Sequence, residues 1–344
     1  MEETFLHQSL AVDLYELTMA AGYFHHNYNP TVTFELFVRK LPITRNYLIA
    51  SGIEQAVKYV ASLKFSNEEI NYIKSLPVMK DVKPDFFEYL REYKFSGNVF
   101  GLKEGELVFG DEPILQIQAP LIEAQILETF LLTTINFQTA VASKASRVVQ
   151  AAQSDGKFRT ILEFGSRRAH GPEAGVLAAR AAYIAGCAGT SNVLAGCRYE
   201  IPLYGTAAHS WTLAFDNELQ AFKKYSEVFP DSSVYLIDTF NTLEGAKRAA
   251  ETGYKVLGVR IDSGDLETSS KDVRKILDAN GLSDTIIVLS GDLNEHKIEN
   301  LVKNNTPVDS FGVGTQLATS EDAPSLSVVY KLVEVEKDNR SLPG

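Results

Sequence analysis

Residues 233–265 read SVYLIDTFNTLEGAKRAAETGYKVLGVRIDSGD. Two short apolar runs, residues 233–237 and 255–260, flank residues 242–252, whose apolar positions recur at helical spacing. Each run closes on a polar cluster: Asp238-Thr239-Phe240-Asn241-Thr242 after the first, Arg260-Ile261-Asp262-Ser263-Gly264-Asp265 after the second. Strand, helix, strand is a crossover unit, and a helical crossover sets its two strands parallel.

The alternation continues on both sides of this unit. Residues 159–164, 191–194 and 200–203 read as strands before it, and residues 286–290 and 310–313 as strands after it. Helical patterns fill residues 174–185, 211–225, 269–280 and 294–304. So regular a succession predicts an α/β fold with parallel strands, either a Rossmann-type sheet or an α/β barrel. The G-x-G-x-x-G fingerprint after a first strand is missing, which counts against dinucleotide binding.

The first part of the chain is different. Residues 13–24, 52–63, 67–75 and 85–92 read as helices, and residues 31–38 alternate like a strand. Residues 99–118 place Gly101, Gly105, Gly110 and Pro113 between short apolar pieces, the pattern of a hairpin-rich sheet. A long helix follows over residues 120–152, with an interruption expected near 133–136. Near the C-terminus, residues 328–335 read as a strand and residues 336–344 as a polar, unstructured tail. The expected domains are residues 1–156, an N-terminal α/β domain with the long central helix; residues 157–335, the α/β barrel domain; and the short tail, residues 336–344.

Composition narrows the function. The net charge is −11 over 344 residues. Non-specific nucleic-acid binding runs on lysine and arginine neutralising phosphates, so no nucleic-acid partner is expected. No apolar run approaches the roughly 18 residues that span a bilayer, and the acidic start lacks the pattern of a signal peptide, so no membrane partner is expected either. The two cysteines, Cys187 and Cys197, are too sparse for a disulfide framework and read as reduced thiols in a cytoplasmic protein.

In parallel α/β folds ligands gather at the carboxyl ends of the strands. Seven successive strand ends here carry charged or glycine-rich polar clusters. Asp292 or Asn294 alone reads as a helix cap, and Arg260 with Asp262 as a structural ion pair along one strand face. Seven clusters together read as a ligand-binding mouth. Arg167, Arg168 and Arg260 offer planar forks for carboxylate or phosphate, and Asp238, Asp262 and Asp265 offer oxygens for Mg²⁺ or sugar hydroxyls. Gly291-Asp292 and Gly312-Val313-Gly314-Thr315 offer backbone N–H groups to a phosphate. Phe164, beside Gly165 and two arginines, suits a flat heteroaromatic acid as well as it suits a core. In residues 204–211, YGTAAHSW, His209 stands beside the only tryptophan among small residues, and the hydroxyls of Thr206 and Ser210 suit the orienting of an imidazole. Such a histidine is a half-buried structural residue, a base, a metal ligand or a nucleophile toward phosphorus.

Several of these stretches, in this order, resemble the nicotinate phosphoribosyltransferases, a family of type II phosphoribosyltransferases. They are DLYELTM from Asp13, EFGSRR from Glu163, GTAAHSW from Gly205, IDTFNT from Ile237, VRIDSGD from Val259 and FGVGT from Phe311. The likeness extends from Asp13 to about Leu332. It implies an irregular α/β barrel packed with an N-terminal α/β domain. It also implies a reaction: nicotinate and phosphoribosyl pyrophosphate give nicotinate mononucleotide and pyrophosphate, coupled to ATP hydrolysis. By resemblance His209 is phosphorylated by ATP, and Asp238 and Asp262 hold ribose hydroxyls, Mg²⁺ or both. Gly291, Gly312, Gly314 and Thr315 cradle the 5′-phosphate, with Thr206 also at the substrate. Phe164 is one face of a nicotinate clamp whose other face is Tyr15 of a second subunit, which implies a homodimer with shared sites. Arg167 or Arg260 pairs with substrate anions. Nicotinamide-using relatives carry an aspartate where this chain has Ser191-Asn192, so its absence favours a carboxylate substrate. Family members continue past the strand at residues 328–335, whereas this sequence ends at Gly344.

Overall fold

A computed structural model describes residues 7–337 and 340–343. They divide into two compact units: residues up to Ala140 together with those from Ser325 on, and Val141–Pro324.

The first unit opens with α1 (Leu14–His25), whose start is fixed by the Glu16 carboxyl reaching back to the Asp13 N–H at 3.3 Å. β1 (Thr31–Val38) follows, then the short β2 (Leu48–Ile49) and the helices α2 (Ile53–Ser62), α3 (Asn67–Ser75) and α4 (Pro84–Arg91). The glycine-rich stretch is a meander of β3 (Asn98–Gly101), β4 (Leu107–Val108) and β5 (Pro113–Pro120). The long helix comes in two pieces, α5 (Leu121–Gln125) and α6 (Glu128–Ala152). Its break falls at residues 126–127, not at 133–136. Thr134 is buried, and the Asn136 side chain accepts the Leu326 N–H at 2.8 Å and donates to Ser325 Oγ at 3.3 Å. Asn136 spends its side chain on partners outside the helix, so it does not compete with the backbone ladder.

The second unit carries the alternation read in the sequence, as β6 (Thr160–Glu163), α7 (Pro172–Ile184), β7 (Gly189–Thr190) and α8 (Val193–Tyr199). It continues with α9 (His209–Leu213), α10 (Glu218–Val228), β8 (Val234–Leu236), α11 (Thr242–Ala250), β9 (Gly258–Ile261) and α12 (Leu266–Ala279). β10 (Ile286–Leu289), α13 (Glu295–Lys303), β11 (Ser310–Val313) and α14 (Thr315–Ala318) complete it. The six strands form one parallel sheet in the order β7-β6-β11-β10-β9-β8. The strands are short and largely buried, most plainly the apolar run IIVL of β10. Two expected strands are corrected. Residues 191–194 enter α8, because the Asn192 side chain accepts the Ala195 N–H at 2.9 Å and starts a helix there. Residues 200–203 give only a single bridge, Leu203 to Thr190. Among the described residues β7 and β8 remain the sheet edges, so the expected barrel is open between them.

The chain then returns to the first unit. β12 (Val328–Lys337) pairs antiparallel with β1 from Val32↔Val335 to Val38↔Val328, and β13 (Arg340–Pro343) pairs with β12. The sheet order there is β13-β12-β1-β5-β3. Residues 325–335 thus leave the expected barrel domain, and part of the expected tail is a strand. The β1 edge supplies the pairing that no strand of the parallel sheet offers them. Among the described residues no helix is long and apolar enough to cross a membrane.

Candidate active site

Because all six strands of the second unit run parallel, the residues that follow them share one edge of the sheet. Ile237 continues β8 by donating its N–H to the Arg260 carbonyl at 3.1 Å, which delivers Asp238 to that edge. One Asp238 oxygen, Oδ2, accepts the Asp262 N–H at 2.9 Å and the Ser263 hydroxyl at 2.7 Å. The other, Oδ1, is buried without a hydrogen-bond partner.

Arg260 projects from β9 and is mostly buried. Its Nη1 donates to Asp262 Oδ1 and to Ser290 Oγ, both at 3.2 Å, and its Nη2 to the Ala207 carbonyl at 3.4 Å. Nε has no partner. Arg260 and Asp262 do form the ion pair that was the alternative to a site role, yet it leaves donor capacity unused. Ser290 also donates to Asp262 Oδ1. Gly291 is obligatory here: its φ is +101°, and a Cβ would lie 2.0 Å from the Asp262 carbonyl oxygen.

His209 opens α9, half-exposed, with Nδ1 3.2 Å from the Thr239 hydroxyl and Nε2 3.9 Å from Asp262 Oδ2. The hydroxyl occupies one ring nitrogen and leaves the other facing the carboxylate. His209, Asp238, Arg260, Asp262 and Gly291 are thus joined through Thr239, Ser263, Ser290 and the Ala207 carbonyl. Thr206 precedes that carbonyl and donates its hydroxyl to it at 3.2 Å.

A second cluster forms at the ends of β6, β7 and β11. Glu163 is fully buried, accepting the Thr190 hydroxyl and the Gly165 N–H, and burial raises its carboxyl above the usual range. Its carbonyl accepts the Ser191 N–H at 3.0 Å, while Phe164 donates its N–H to the Val313 carbonyl at 2.8 Å. A Cβ on Gly312 would lie 2.5 Å from the Phe164 ring. Glycine at 312 is required to seat that ring, a local reason separate from phosphate contact. Gly314 leads into α14, where Thr315 begins the first turn. Arg167 is exposed in a 3-10 turn and lies close enough to Arg260 to help lower its pKa, behind burial itself.

Other polar residues are taken up locally. Asp265 caps α12, accepting the Glu267 and Thr268 N–H groups and the Thr268 hydroxyl, so it is withdrawn from the candidate metal oxygens. Asn294 caps α13, as read for it alone. Tyr15 belongs to the first unit, where burial and the Glu128 carboxylate hold its phenol well above the usual range. Sequence reasoning missed Glu163, Thr190, Thr239 and Ser290. Each stands inside or beside a strand-end cluster, so the signal was position in the chain and not residue type.

The nicotinate phosphoribosyltransferase (NAPRTase) N-terminal domain family matches residues 10–136, and the nicotinate phosphoribosyltransferase (NAPRTase) family matches residues 159–342. Nicotinate phosphoribosyltransferase pncB2 of Mycobacterium tuberculosis (strain ATCC 25618 / H37Rv) is 41% identical over 339 residues, covering 97% of this chain and 72% of that protein. Nicotinate phosphoribosyltransferase of Bacillus subtilis (strain 168) is 42% identical over 340 residues, covering 96% and 68%. The crystal structure of human nicotinic acid phosphoribosyltransferase superposes with a TM-score of 0.82 at 29% identity, covering 94% of this chain and 74% of that one. The clusters around His209 and Phe164 are thus set on the fold of those proteins, and this chain belongs to the nicotinate phosphoribosyltransferase family.

Proposed function

We propose that this protein joins nicotinate to phosphoribosyl pyrophosphate, giving nicotinate mononucleotide and pyrophosphate for NAD salvage. The bond from ribose C1′ to pyrophosphate breaks and the bond from C1′ to the pyridine nitrogen forms. The observation that carries the reading is the linked cluster of His209, Thr239, Asp262, Arg260 and Asp238 at one sheet edge, in a chain of this family.

ATP enters through His209. With Nδ1 held by Thr239, Nε2 is the nucleophile that takes the γ-phosphoryl group and releases ADP, and hydrolysis of the phosphohistidine completes the cycle. Asp262 faces that nitrogen at 3.9 Å and takes up any proton it carries, which leaves the lone pair free to attack. Arg260, with an unpartnered Nε, and Arg167 pair with substrate anions.

Asp238 and Asp262 fit Mg²⁺ as hard oxygen donors. Among the described residues no group of three or more acidic, histidine or cysteine side chains converges on a metal position. A pair of carboxylates with substrate phosphates completing the shell is the arrangement Mg²⁺ commonly takes. The ion would neutralise the departing pyrophosphate, and the two aspartates would also meet ribose hydroxyls.

Phe164, resting on Gly312, stacks on the pyridine ring, with Tyr15 of a second copy on the other face, which makes the working form a homodimer. Asn192, standing where nicotinamide-using relatives are expected to carry an aspartate, supports a carboxylate substrate; its side chain donates to Ser166 Oγ at 2.9 Å and caps α8. Gly291, Gly314 and Thr315 offer backbone to the 5′-phosphate, with Gly312 and Thr206 beside the substrates. Both cysteines are free, in keeping with a cytoplasmic protein.

Product formation from nicotinate, nicotinamide and quinolinate with phosphoribosyl pyrophosphate and Mg²⁺ tests the assignment. Nicotinate is expected to be the preferred substrate. Turnover of either other acceptor at a higher kcat/KM would overturn it.

A further inference from the structure

Lys144 is a lysine without access to water. It sits in α6 with 2% of its side chain exposed. Its ammonium lies 2.7 Å from Glu295 Oε2 and 3.0 Å from Asp322 Oδ1. Glu295 is also almost wholly buried, and its other oxygen lies 3.7 Å from Arg147 Nε. The contact with Glu295 is off the hydrogen-bond axis, so charge holds the group together more than directional bonding does. Removing the cation would leave the buried Glu295 carboxylate with the more distant Arg147, in an interior where a poorly paired charge is costly.

The placement of its two partners gives the cluster a meaning beyond packing. Glu295 is the first residue of α13, directly after the turn that carries Ser290, Gly291 and Asp292. That turn is fixed at its start by Ser290 on Asp262 and at its end by Glu295 on Lys144. Asp322 lies just beyond α14, the helix entered through Gly312, Gly314 and Thr315. One buried ammonium therefore ties together the trailing ends of both backbone segments assigned to the 5′-phosphate.

We propose that Lys144 is a positioning residue that sets the spacing between these two segments, and so governs the affinity for phosphoribosyl pyrophosphate without touching it. The inference rests on the functional reading above, in which those segments hold the phosphate. Its signature is graded: both phosphate segments end on Lys144 partners, whereas the nicotinate clamp shares only one of them, through Phe164 on Gly312.

The test is steady-state kinetics of Lys144→Met and Asp322→Asn, with KM measured separately for phosphoribosyl pyrophosphate and for nicotinate. Misplacing a binding group through a remote change costs on the order of tenfold to a hundredfold. We expect KM for phosphoribosyl pyrophosphate to rise about tenfold in Lys144→Met, and less in Asp322→Asn, which keeps the Glu295 pair, with KM for nicotinate rising clearly less in both. A triple variant, Lys144→Met/Glu295→Gln/Asp322→Asn, removes the buried charges and separates stability from positioning. Recovery of Tm with a persistently high KM for phosphoribosyl pyrophosphate supports the proposal. An unchanged KM, an equal rise for both substrates, or a KM that returns with Tm overturns it. Failure of the wild type to make nicotinate mononucleotide at all would instead overturn the functional reading.

Discussion

His209 is oriented by a neutral hydrogen bond, and that bond is worth only a modest amount. A hydroxyl–imidazole bond contributes about 0.5–1.5 kcal/mol net, so Thr239→Val should cut ATP stimulation by about threefold to tenfold while leaving the fold intact. Stimulation measured beside a thermal melt checks this; full stimulation in Thr239→Val would remove Thr239 from the account. Gly291 is different in kind, because two costs add there. A side chain at φ +101° is strained, and its Cβ would press on the Asp262 carbonyl at 2.0 Å. Together these predict a loss of about 2–5 kcal/mol for Gly291→Ala, read as a lowered denaturation midpoint. An unperturbed midpoint would mean that the turn relaxes freely.

The helices show why part of the architecture was legible and part was not. α11, α12 and α13 appear where helical spacing places them, because each buries apolar positions recurring at that spacing. The break in the long helix was misplaced, because Asn136 looks like an interrupter until its distant partners are known. Residues 191–194 look like a strand by composition, yet a single Asn192 cap makes them a helix.

Buried polar groups on helices carry their own prediction. Glu16 in α1 is fully buried, with Oε2 unpartnered, and burial raises its carboxyl from 4.5 to about 7 against the hydrogen bonds from Thr129 and Asp13. The folded chain therefore binds a proton there that the unfolded chain releases above about pH 4.5, and stability falls as pH rises from there through about 7. Glu16→Gln, which cannot ionise, should match wild type near pH 5 and exceed it by about 3 kcal/mol at pH 8. Chemical denaturation at the two pH values measures the difference. A Gln variant less stable than wild type at both would contradict the assignment.

At the scale of the whole molecule, the alternation after residue 157 was enough for a parallel α/β fold, and the polar clusters that follow its strands were enough to single out one sheet edge as the candidate site. Pairing across the chain was not legible. β12 reads as one more strand of the series, but it joins β1 nearly three hundred residues earlier, and nothing local in either strand records its partner. For the same reason, Thr239 and Ser290 gained their roles only once their contacts with His209 and Asp262 were known.

The proposed shared-site dimer makes a prediction at this scale. Tyr15→Ala and His209→Ala, each impaired alone, should on mixing form dimers with one intact site, recovering about a quarter of wild-type activity. Subunit exchange without recovery would assign Tyr15 to its own chain's site or to none.

The most direct test of the central claim is nicotinate mononucleotide formation from nicotinate and phosphoribosyl pyrophosphate with Mg²⁺, with and without ATP, in wild type and in His209→Ala. The account predicts that ATP accelerates the wild type and leaves the variant at its basal rate. A His209→Ala protein still stimulated by ATP would contradict it.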